Sequence, residues 1–148
     1  MRVLFDTSML IAGFIETHPK HSVALQALTQ SEPVDVRIVA AHSLAEIYAT
    51  LTRLPPPLRM SSRQAFGLIE KNILSTFEIV SLSVSDYLDV LRHLAENNLV
   101  SGIIYDALIL RAGVKGNADR ILTLNSSHFR RIDPALADRS FDPSAQLL

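Results

Sequence analysis

The fold is decided by the stretch Arg2-Val3-Leu4-Phe5-Asp6-Thr7-Ser8 and by the apolar segment Met9–Ile15 that follows it. A short apolar run that ends in Asp and continues with helical spacing predicts a buried strand leading directly into a helix. Ligands of α/β sheets collect outside the carboxyl ends of the strands, so Asp6 is a candidate site residue. The alternative is an ordinary helix N-cap, because Asp accepts hydrogen bonds from the first free N–H groups of a helix.

Other short runs rich in Val, Ile or Leu alternate with segments of helical spacing. The strand candidates are Arg2–Asp6, Asp35–Ala40, Thr76–Leu82 and Arg120–Leu124. The helix candidates are Ser8–Ile15, Ser22–Thr29, Ser43–Leu54, Ser62–Ile73, Ser85–Glu96 and Ile104–Gly113. This alternation predicts an α/β sandwich with a central, mostly parallel sheet of four to five strands. The tail Asp133–Leu148 is predicted to be irregular apart from a short strand near Phe141.

Composition bounds the class of protein. The 148 residues fit one domain spanning residues 1–148, with no need of a covalent staple. The absence of cysteine excludes disulfides and thiolate metal sites, which suits the cytoplasm. No uncharged stretch reaches the ~18 residues of a membrane span, so we expect no membrane partner. Fourteen basic and fifteen acidic residues give a formal charge of −1, so an anionic substrate would need local positive charge.

The candidate helix Ser43–Leu54 carries a second acid of interest. Its apolar face comprises Leu44, Ile47, Tyr48 and Leu51, and its polar face comprises Glu46, Thr50 and Arg53. At about 100° per residue these two sets lie on opposite sides of a helix. The polar face is either solvated, as charged helix faces usually are, or lines a cleft shared with Asp6.

Asp106 is the only charged residue between Leu99 and Leu110. A carboxylate in such surroundings needs a partner or a metal ion, because unpaired burial is costly. Favourable interaction with the positive end of a helix dipole is the alternative explanation. Asp119 precedes the strand Arg120–Leu124, at the sheet edge opposite Asp6, and is interpreted as a solvated turn residue.

Four blocks of sequence, taken in order, resemble one family. They are Val3-Leu4-Phe5-Asp6-Thr7-Ser8, Leu44-Ala45-Glu46-Ile47-Tyr48 with the trailing Leu51-Thr52-Arg53-Leu54-Pro55, Tyr105-Asp106-Ala107-Leu108-Ile109, and Ala118-Asp119-Arg120-Ile121-Leu122-Thr123-Leu124-Asn125 through His128-Phe129. Together they resemble the PIN-domain ribonucleases, and in particular the VapC-like toxins of prokaryotic toxin–antitoxin pairs. The resemblance covers nearly the whole chain and implies a PIN-like α/β/α sandwich.

The resemblance also implies a metal site. In that family the acids matching Asp6, Glu46 and Asp106 meet in one pocket and hold Mg²⁺ or Mn²⁺, with a hydroxyl contribution near Thr7 or Thr123. Members commonly carry a fourth acid where Asn125 or His128 stands, and this sequence has neither acid. Oxygen ligands suit Mg²⁺ independently of the family, since the ion keeps several waters and takes one or two carboxylates beside substrate phosphates.

The resulting hypothesis is metal-assisted hydrolysis of an RNA phosphodiester. Asp6 and Asp106 are the principal ligands, and Glu46 acts through water or a second ion. Asn125 serves as a neutral oxygen ligand or positions water. The metal lowers the pKa of a bound water to make the nucleophile. His128 contacts phosphate or is simply a surface histidine after a strand.

Positive charge for RNA is expected from Arg53, Arg59 and Arg63, and from a second set comprising Arg111, Lys115, Arg130 and Arg131. An ordinary solvated basic rim is the alternative. The segments Met9–Ile15 and Ser62–Ile73 are amphipathic enough to lie against another chain, although core packing explains them equally well. The resemblance implies a cognate antitoxin that covers the cleft and a homodimer.

Two other functions stay open at this point. A catalytically weak PIN-like module that binds RNA or a protein partner is made plausible by the missing fourth acid. Phosphatase chemistry with Asp6 as a covalent nucleophile is weaker, because the second Asp expected two residues on is Ser8.

Overall fold

A computed structural model describes residues 1–29 and 36–147 of the chain, and within these ranges the strands form a single five-stranded sheet. The strands are β1 (Arg2–Phe5), β2 (Val36–Ala40), β3 (Glu78–Val80), β4 (Arg120–Leu122) and β5 (Ser140–Phe141). Their order across the sheet is β3-β2-β1-β4-β5, and every neighbouring pair is parallel. The predicted parallel α/β sandwich is therefore confirmed.

The helices of the described ranges connect and cover these strands. They are α1 (Thr7–Phe14), α2 (His21–Thr29), α3 (Ala41–Arg53), α4 (Ser62–Ile69), α5 (Val84–Glu96), α6 (Ile103–Lys115), α7 (Ser126–Ile132) and α8 (Pro134–Ala137). A π-helical turn over Glu70–Leu74 extends α4, and a 3₁₀ turn covers Pro143–Leu147. No helix of the described ranges is long and apolar enough to cross a membrane.

The central strand β1 explains why both faces of the sheet are covered. Successive side chains of a strand point to opposite faces, and every residue of Val3-Leu4-Phe5 is buried. Leu4 packs in one hydrophobic cluster with the helices α5 and α6, whereas Val3 and Phe5 pack in a second cluster with α1, α3 and α4. A continuous apolar run of this kind is typical of a parallel strand buried on both sides.

Several predicted boundaries differ from the structure by a few residues. The strand β1 ends at Phe5, and β3 is only three residues long and pairs with β2 alone. The predicted strand start at Asp35 lies outside the described residues. The helix α3 begins at Ala41, two residues before Ser43, and its first turn has no side-chain cap.

The prediction of an irregular tail is wrong in part. The helix α8 follows Asp133, whose side chain accepts a hydrogen bond from the Ala135 N–H, with Pro134 at the first helical position. The helix α7 precedes the tail and was not predicted either, because seven residues are too short to show helical periodicity. The expected short strand near Phe141 is confirmed as β5.

The predicted apolar face of α3 is also wrong at one position. Tyr48 is 40% exposed, whereas Ser43 is fully buried together with Ile47 and Leu51. These buried residues are spaced by four, so the face turned to the core is rotated toward Ser43. This rotation brings Glu46 to the border of the buried face, where it is half-buried.

Candidate functional site

The site begins where β1 and β4 end side by side. Phe5 pairs with Leu122, and the Asp6 N–H donates to the Leu122 carbonyl at 2.9 Å. The next residues, Asp6 and Thr123, are therefore neighbours, and the Thr123 hydroxyl donates to Asp6 Oδ2 at 2.7 Å. Asp6 is only 1% exposed and Thr123 is fully buried. The burial of Thr123 favours a role in holding Asp6 over direct contact with RNA.

Ser8 is a second hydroxyl donor to Asp6. Its Oγ lies 2.6 Å from Asp6 Oδ2 and accepts a hydrogen bond from the Leu124 N–H at 3.0 Å. Both hydroxyl bonds to Asp6 end on Oδ2, so neither occupies Oδ1. Ser8 was not among the candidate residues, although Asp-x-Ser at a helix start is a spacing at which these side chains can bond.

Thr7 follows Asp6 in the chain, and its side chain bonds Glu46. Its Oγ1 lies 2.9 Å from Ser43 Oγ and 3.1 Å from Glu46 Oε1. A hydroxyl has one proton and an ionised carboxylate only accepts, so Thr7 donates to Glu46 and accepts from Ser43. Ser43 was not among the candidate site residues, because in the sequence it is only the first residue of the candidate helix Ser43–Leu54. Thr7 is itself buried, which favours a positioning role for it as well.

Asp106 lies in the first turn of α6, and the structure gives it His128 as a partner, which the sequence did not predict. His128 Nδ1 is 2.7 Å from Asp106 Oδ2. An ionised carboxylate only accepts, so the ring nitrogen is the donor. His128 stands at one of the two positions where the family that this sequence resembles commonly has an acid. Here its side chain instead donates a hydrogen bond to Asp106.

The three carboxylates interact electrostatically, and we call Asp6, Glu46 and Asp106 the acid cluster. Burial is the main cause that raises the pKa of Asp6, and the charge of Asp106 raises it further, against the hydroxyl bonds from Ser8 and Thr123. Burial also raises the pKa of Glu46, and the charges of Asp6 and Asp106 add to it. The structure thus brings the three predicted acids together.

Among the described residues, no lysine or arginine forms an ion pair with the acid cluster. Two histidines lie within ion-pair distance of its carboxylates: His42 near Glu46 and His128 near Asp106. Like charges held together in a buried place repel each other, which a bound cation would relieve. Within the same ranges no three His, Asp or Glu side chains form a ready-made metal cage. The carboxylate oxygens of the acid cluster are the ligand type that Mg²⁺ and Mn²⁺ bind.

The remaining candidates lie around this cluster. Asn125 is exposed and precedes α7, and its backbone N–H donates to Thr123 Oγ1 at 2.9 Å. Arg53 is exposed in the last turn of α3, about 10 Å along the helix from Glu46. The second predicted basic set is wrong in part, because Arg111 and Lys115 both pair with Asp86 of α5 and are committed to joining two helices.

Two aromatic rings adjoin the acid cluster and were not predicted. His42 and Tyr105 stack with ring centroids 5.2 Å apart and planes inclined by 6°. His42 Nε2 lies 3.6 Å from Glu46 Oε1, and burial lowers the pKa of His42. No sequence pattern links two residues that are 63 positions apart, so only the fold shows the pair.

Comparison with known proteins places this geometry in context. Residues 3–134 match the PIN domain family. Ribonuclease VapC40 of Mycobacterium tuberculosis is 36% identical over 104 residues, which cover 70% of this chain and 72% of that protein.

Solved structures agree on the fold. VapBC-1 from nontypeable Haemophilus influenzae superposes with a TM-score of 0.69 at 19% identity, covering 97% of this chain and 99% of that one. VapC20 of Mycobacterium tuberculosis, described as a sarcin-ricin loop cleaving toxin, gives a TM-score of 0.66 at 17% identity, covering 80% and 86% of the two chains.

Proposed function

The chain belongs to the PIN domain family, and from this premise we propose that it is a metal-dependent endoribonuclease, the toxin of a toxin–antitoxin pair. The observation that carries the proposal is the acid cluster. A buried Asp6 faces two further carboxylates, with no lysine or arginine of the described ranges paired to any of them. A divalent cation balances such a cluster.

Asp6 and Asp106 are the proposed ligands of Mg²⁺ or Mn²⁺, and Glu46 acts through water or a second ion. Held by these acids, a divalent ion would supply a bound water of lowered pKa and positive charge beside the scissile phosphate. The hydroxyls of Ser8 and Thr123 hold Asp6 in place at 2.6 Å and 2.7 Å. Thr7 does the same for Glu46 at 3.1 Å, so both acids are oriented by donors on rigid elements.

His128 and Asn125 complete the proposed site on the α7 side. With Nδ1 bound to Asp106, the second ring nitrogen of His128 is available to a phosphate oxygen or a water. Asn125 is exposed beside the buried Thr123 and offers a neutral amide where the family commonly has an acid. The exposed Arg53 supplies positive charge along the path of the RNA backbone.

RNA is the proposed substrate because VapC40 is named a ribonuclease. The cognate antitoxin and the homodimer are proposed on the family resemblance and on the similarity to a VapBC structure. Exposed apolar side chains on two helices offer surface for such protein partners: Phe66 on α4, and Leu88 and Leu91 on α5. Most of the segment Met9–Ile15 does not, since Met9, Leu10 and Ala12 are fully buried in the core. We place the activity in the cytoplasm.

The decisive test is Asp6→Asn, which keeps the shape of the side chain and removes its charge. Wild type should cleave a fluorescently labelled single-stranded RNA with Mg²⁺ or Mn²⁺ and should be inactive with EDTA. Altering an outer-shell partner of a metal usually costs roughly 10- to 100-fold. Loss of a direct ligand should exceed that range. Circular dichroism and thermal melting establish that the variant is folded.

Asp119→Asn is the matched control, because Asp119 is an exposed acid at the opposite edge of the same sheet. It should retain wild-type activity. Cleavage that survives Asp6→Asn, or that persists in EDTA, contradicts the proposal. Wild type that binds RNA without metal-dependent cleavage supports the alternative of a binding module, which the absence of a fourth acid at Asn125 or His128 favours.

A further inference from the structure

An aromatic pair beside the acid cluster has no part in the chemistry proposed above. His42 belongs to the first turn of α3, one helical turn before Glu46, and Tyr105 directly precedes Asp106 in α6. Their rings are nearly parallel, inclined by 6°, with centroids 5.2 Å apart. At this separation parallel rings are offset from each other, the arrangement that aromatic rings prefer.

The pair leaves an aromatic surface open to solvent. His42 covers one side of the Tyr105 ring, yet Tyr105 is 49% exposed. The imidazole behind it fixes the ring plane, so little side-chain freedom remains to be lost when something stacks on the tyrosine. Exposed aromatic rings are the usual platforms for unpaired nucleobases, because every base has a flat face.

The position of the pair relative to the acid cluster defines what it would bind. His42 Nε2 lies 3.6 Å from Glu46 Oε1, and the Tyr105 ring stacks on His42, so the pair borders the acid cluster at Glu46. A phosphate held at the acid cluster therefore brings its neighbouring base to this edge. We propose that Tyr105, backed by His42, is a stacking subsite for one unpaired base next to the scissile phosphate.

This inference rests on the proposed ribonuclease function for its substrate and adds a base-binding element to it. The subsite recognises any base by its π-face, so it favours single-stranded RNA over a paired duplex. A protein partner could also cover an exposed tyrosine. The parallel ring pair favours a base, since a third flat ring simply continues the stack.

The test measures stacking directly. Wild type with Mg²⁺ is mixed rapidly with single-stranded RNA that carries the fluorescent base 2-aminopurine at successive positions, and the fluorescence is recorded before cleavage. Stacking on Tyr105 should quench the fluorescence at one position. In Tyr105→Leu, which keeps apolar bulk against His42, the quenching should disappear and the affinity should fall roughly 5- to 100-fold, the range usual for loss of one base–aromatic stack. Tyr105→Phe should behave as wild type.

Tyr87→Leu is the matched control, because Tyr87 is a comparably exposed tyrosine on α5. It should bind RNA as wild type does. Absence of quenching in wild type, wild-type affinity in Tyr105→Leu, or a Tyr105→Phe as weak as Tyr105→Leu overturns the subsite. Unchanged RNA binding in Tyr105→Leu would leave the ring pair as a surface for protein.

The two proposals fail separately in these measurements. Metal-dependent cleavage by wild type without quenching at any position removes the stacking subsite and leaves the nuclease. Quenching that depends on Tyr105, in a chain that never cleaves with Mg²⁺ or Mn²⁺, removes the nuclease and leaves the subsite.

Discussion

At the scale of single residues, Asp6 combines two roles that the sequence presents as alternatives. It occupies the N-cap position of α1, but its carboxylate makes no side-chain capping hydrogen bond. Its Oδ2 instead accepts from Ser8 and Thr123. Asp6 therefore stands at the start of a helix, but its carboxylate is oriented by two hydroxyl groups and does not cap the helix.

Thr123→Val tests the hydroxyl that holds Asp6. The bond from Thr123 lowers the pKa of Asp6, so its removal should raise that pKa further. If cleavage needs ionised Asp6, the acidic limb of the pH–rate profile should move to higher pH. A hydrogen bond worth about 1 kcal/mol corresponds to roughly a fivefold loss of rate on that limb. The measurement is the rate of RNA cleavage from pH 5 to pH 9.

The same substitution removes the acceptor of the Asn125 N–H, which should lower stability by about 1–3 kcal/mol in thermal melts. Thr52→Val is the control, since the Thr52 hydroxyl bonds only carbonyls within its own helix, with Tyr48 the nearer at 2.8 Å. A pH–rate profile of Thr123→Val that coincides with wild type would rule out the holding role.

At the scale of elements, the position of Asp106 depends on the close packing of α6 against the sheet. Two glycines at its C-terminal end permit this approach: Gly113, where an added Cβ would lie 3.3 Å from Ile121, and Gly116, where it would lie 3.0 Å from Val80 and 3.2 Å from the Ala112 carbonyl. Val80 belongs to the core and the carbonyl to the backbone, so neither moves freely.

Gly116→Ala should therefore destabilise the chain by about 1–3 kcal/mol, the usual cost of overpacking a core. Gly67→Ala in α4 is the matched control, because nothing lies within 4 Å of its added Cβ. That substitution should stabilise by roughly 0.5–1 kcal/mol through helix propensity. Urea unfolding of both variants gives the free energies. Equal stability of the two variants would contradict the close packing of α6.

At the scale of the whole molecule, the acid cluster lowers the stability of the chain, and a metal ion bound there would raise it again. The pKa values of Asp6 and Glu46 are raised in the folded chain, so their charged forms oppose folding. In EDTA, wild type should gain stability as the pH falls through these raised pKa values toward about 4, the ordinary value of unfolded carboxyls. Asp86 acts in the opposite sense: its pKa is lowered, chiefly by Lys115, so its stabilising bonds are lost only below that pH.

The difference between wild type and Asp6→Asn isolates this effect. In EDTA at pH 8 the variant should melt several degrees higher than wild type. Removal of the buried charge should raise the free energy of unfolding by about 1–3 kcal/mol, and each kcal/mol shifts the melting temperature by roughly 2–4 °C in a chain of this size. The gap should close as the pH falls, and Mn²⁺ should raise the melting temperature of wild type alone. A wild type that equals the variant at pH 8 in EDTA would refute the destabilising cluster.

The sequence by itself determined the sheet, the family and the three acids. Buried parallel strands need continuous apolar runs, which Val3-Leu4-Phe5 shows, and a carboxylate directly after such a run needs no tertiary information to be noticed. Motif order then linked Asp6 to Glu46 and Asp106, and the match to the PIN domain family confirms the family.

Only the tertiary structure decided what surrounds those acids. In the sequence Ser43 is only the first residue of a candidate helix, and His42 shows no pattern. Their contacts with Thr7 and Tyr105 depend on how α3 is rotated against α1 and α6. The apolar periodicity of α3 predicted a buried Tyr48, which is exposed in the structure. Whether a side chain at the border of a helix face is buried depends on the packing of neighbouring elements, which periodicity does not show. The link between Asp106 and His128 likewise spans two helices, and distances between elements are set by the core and not by local sequence.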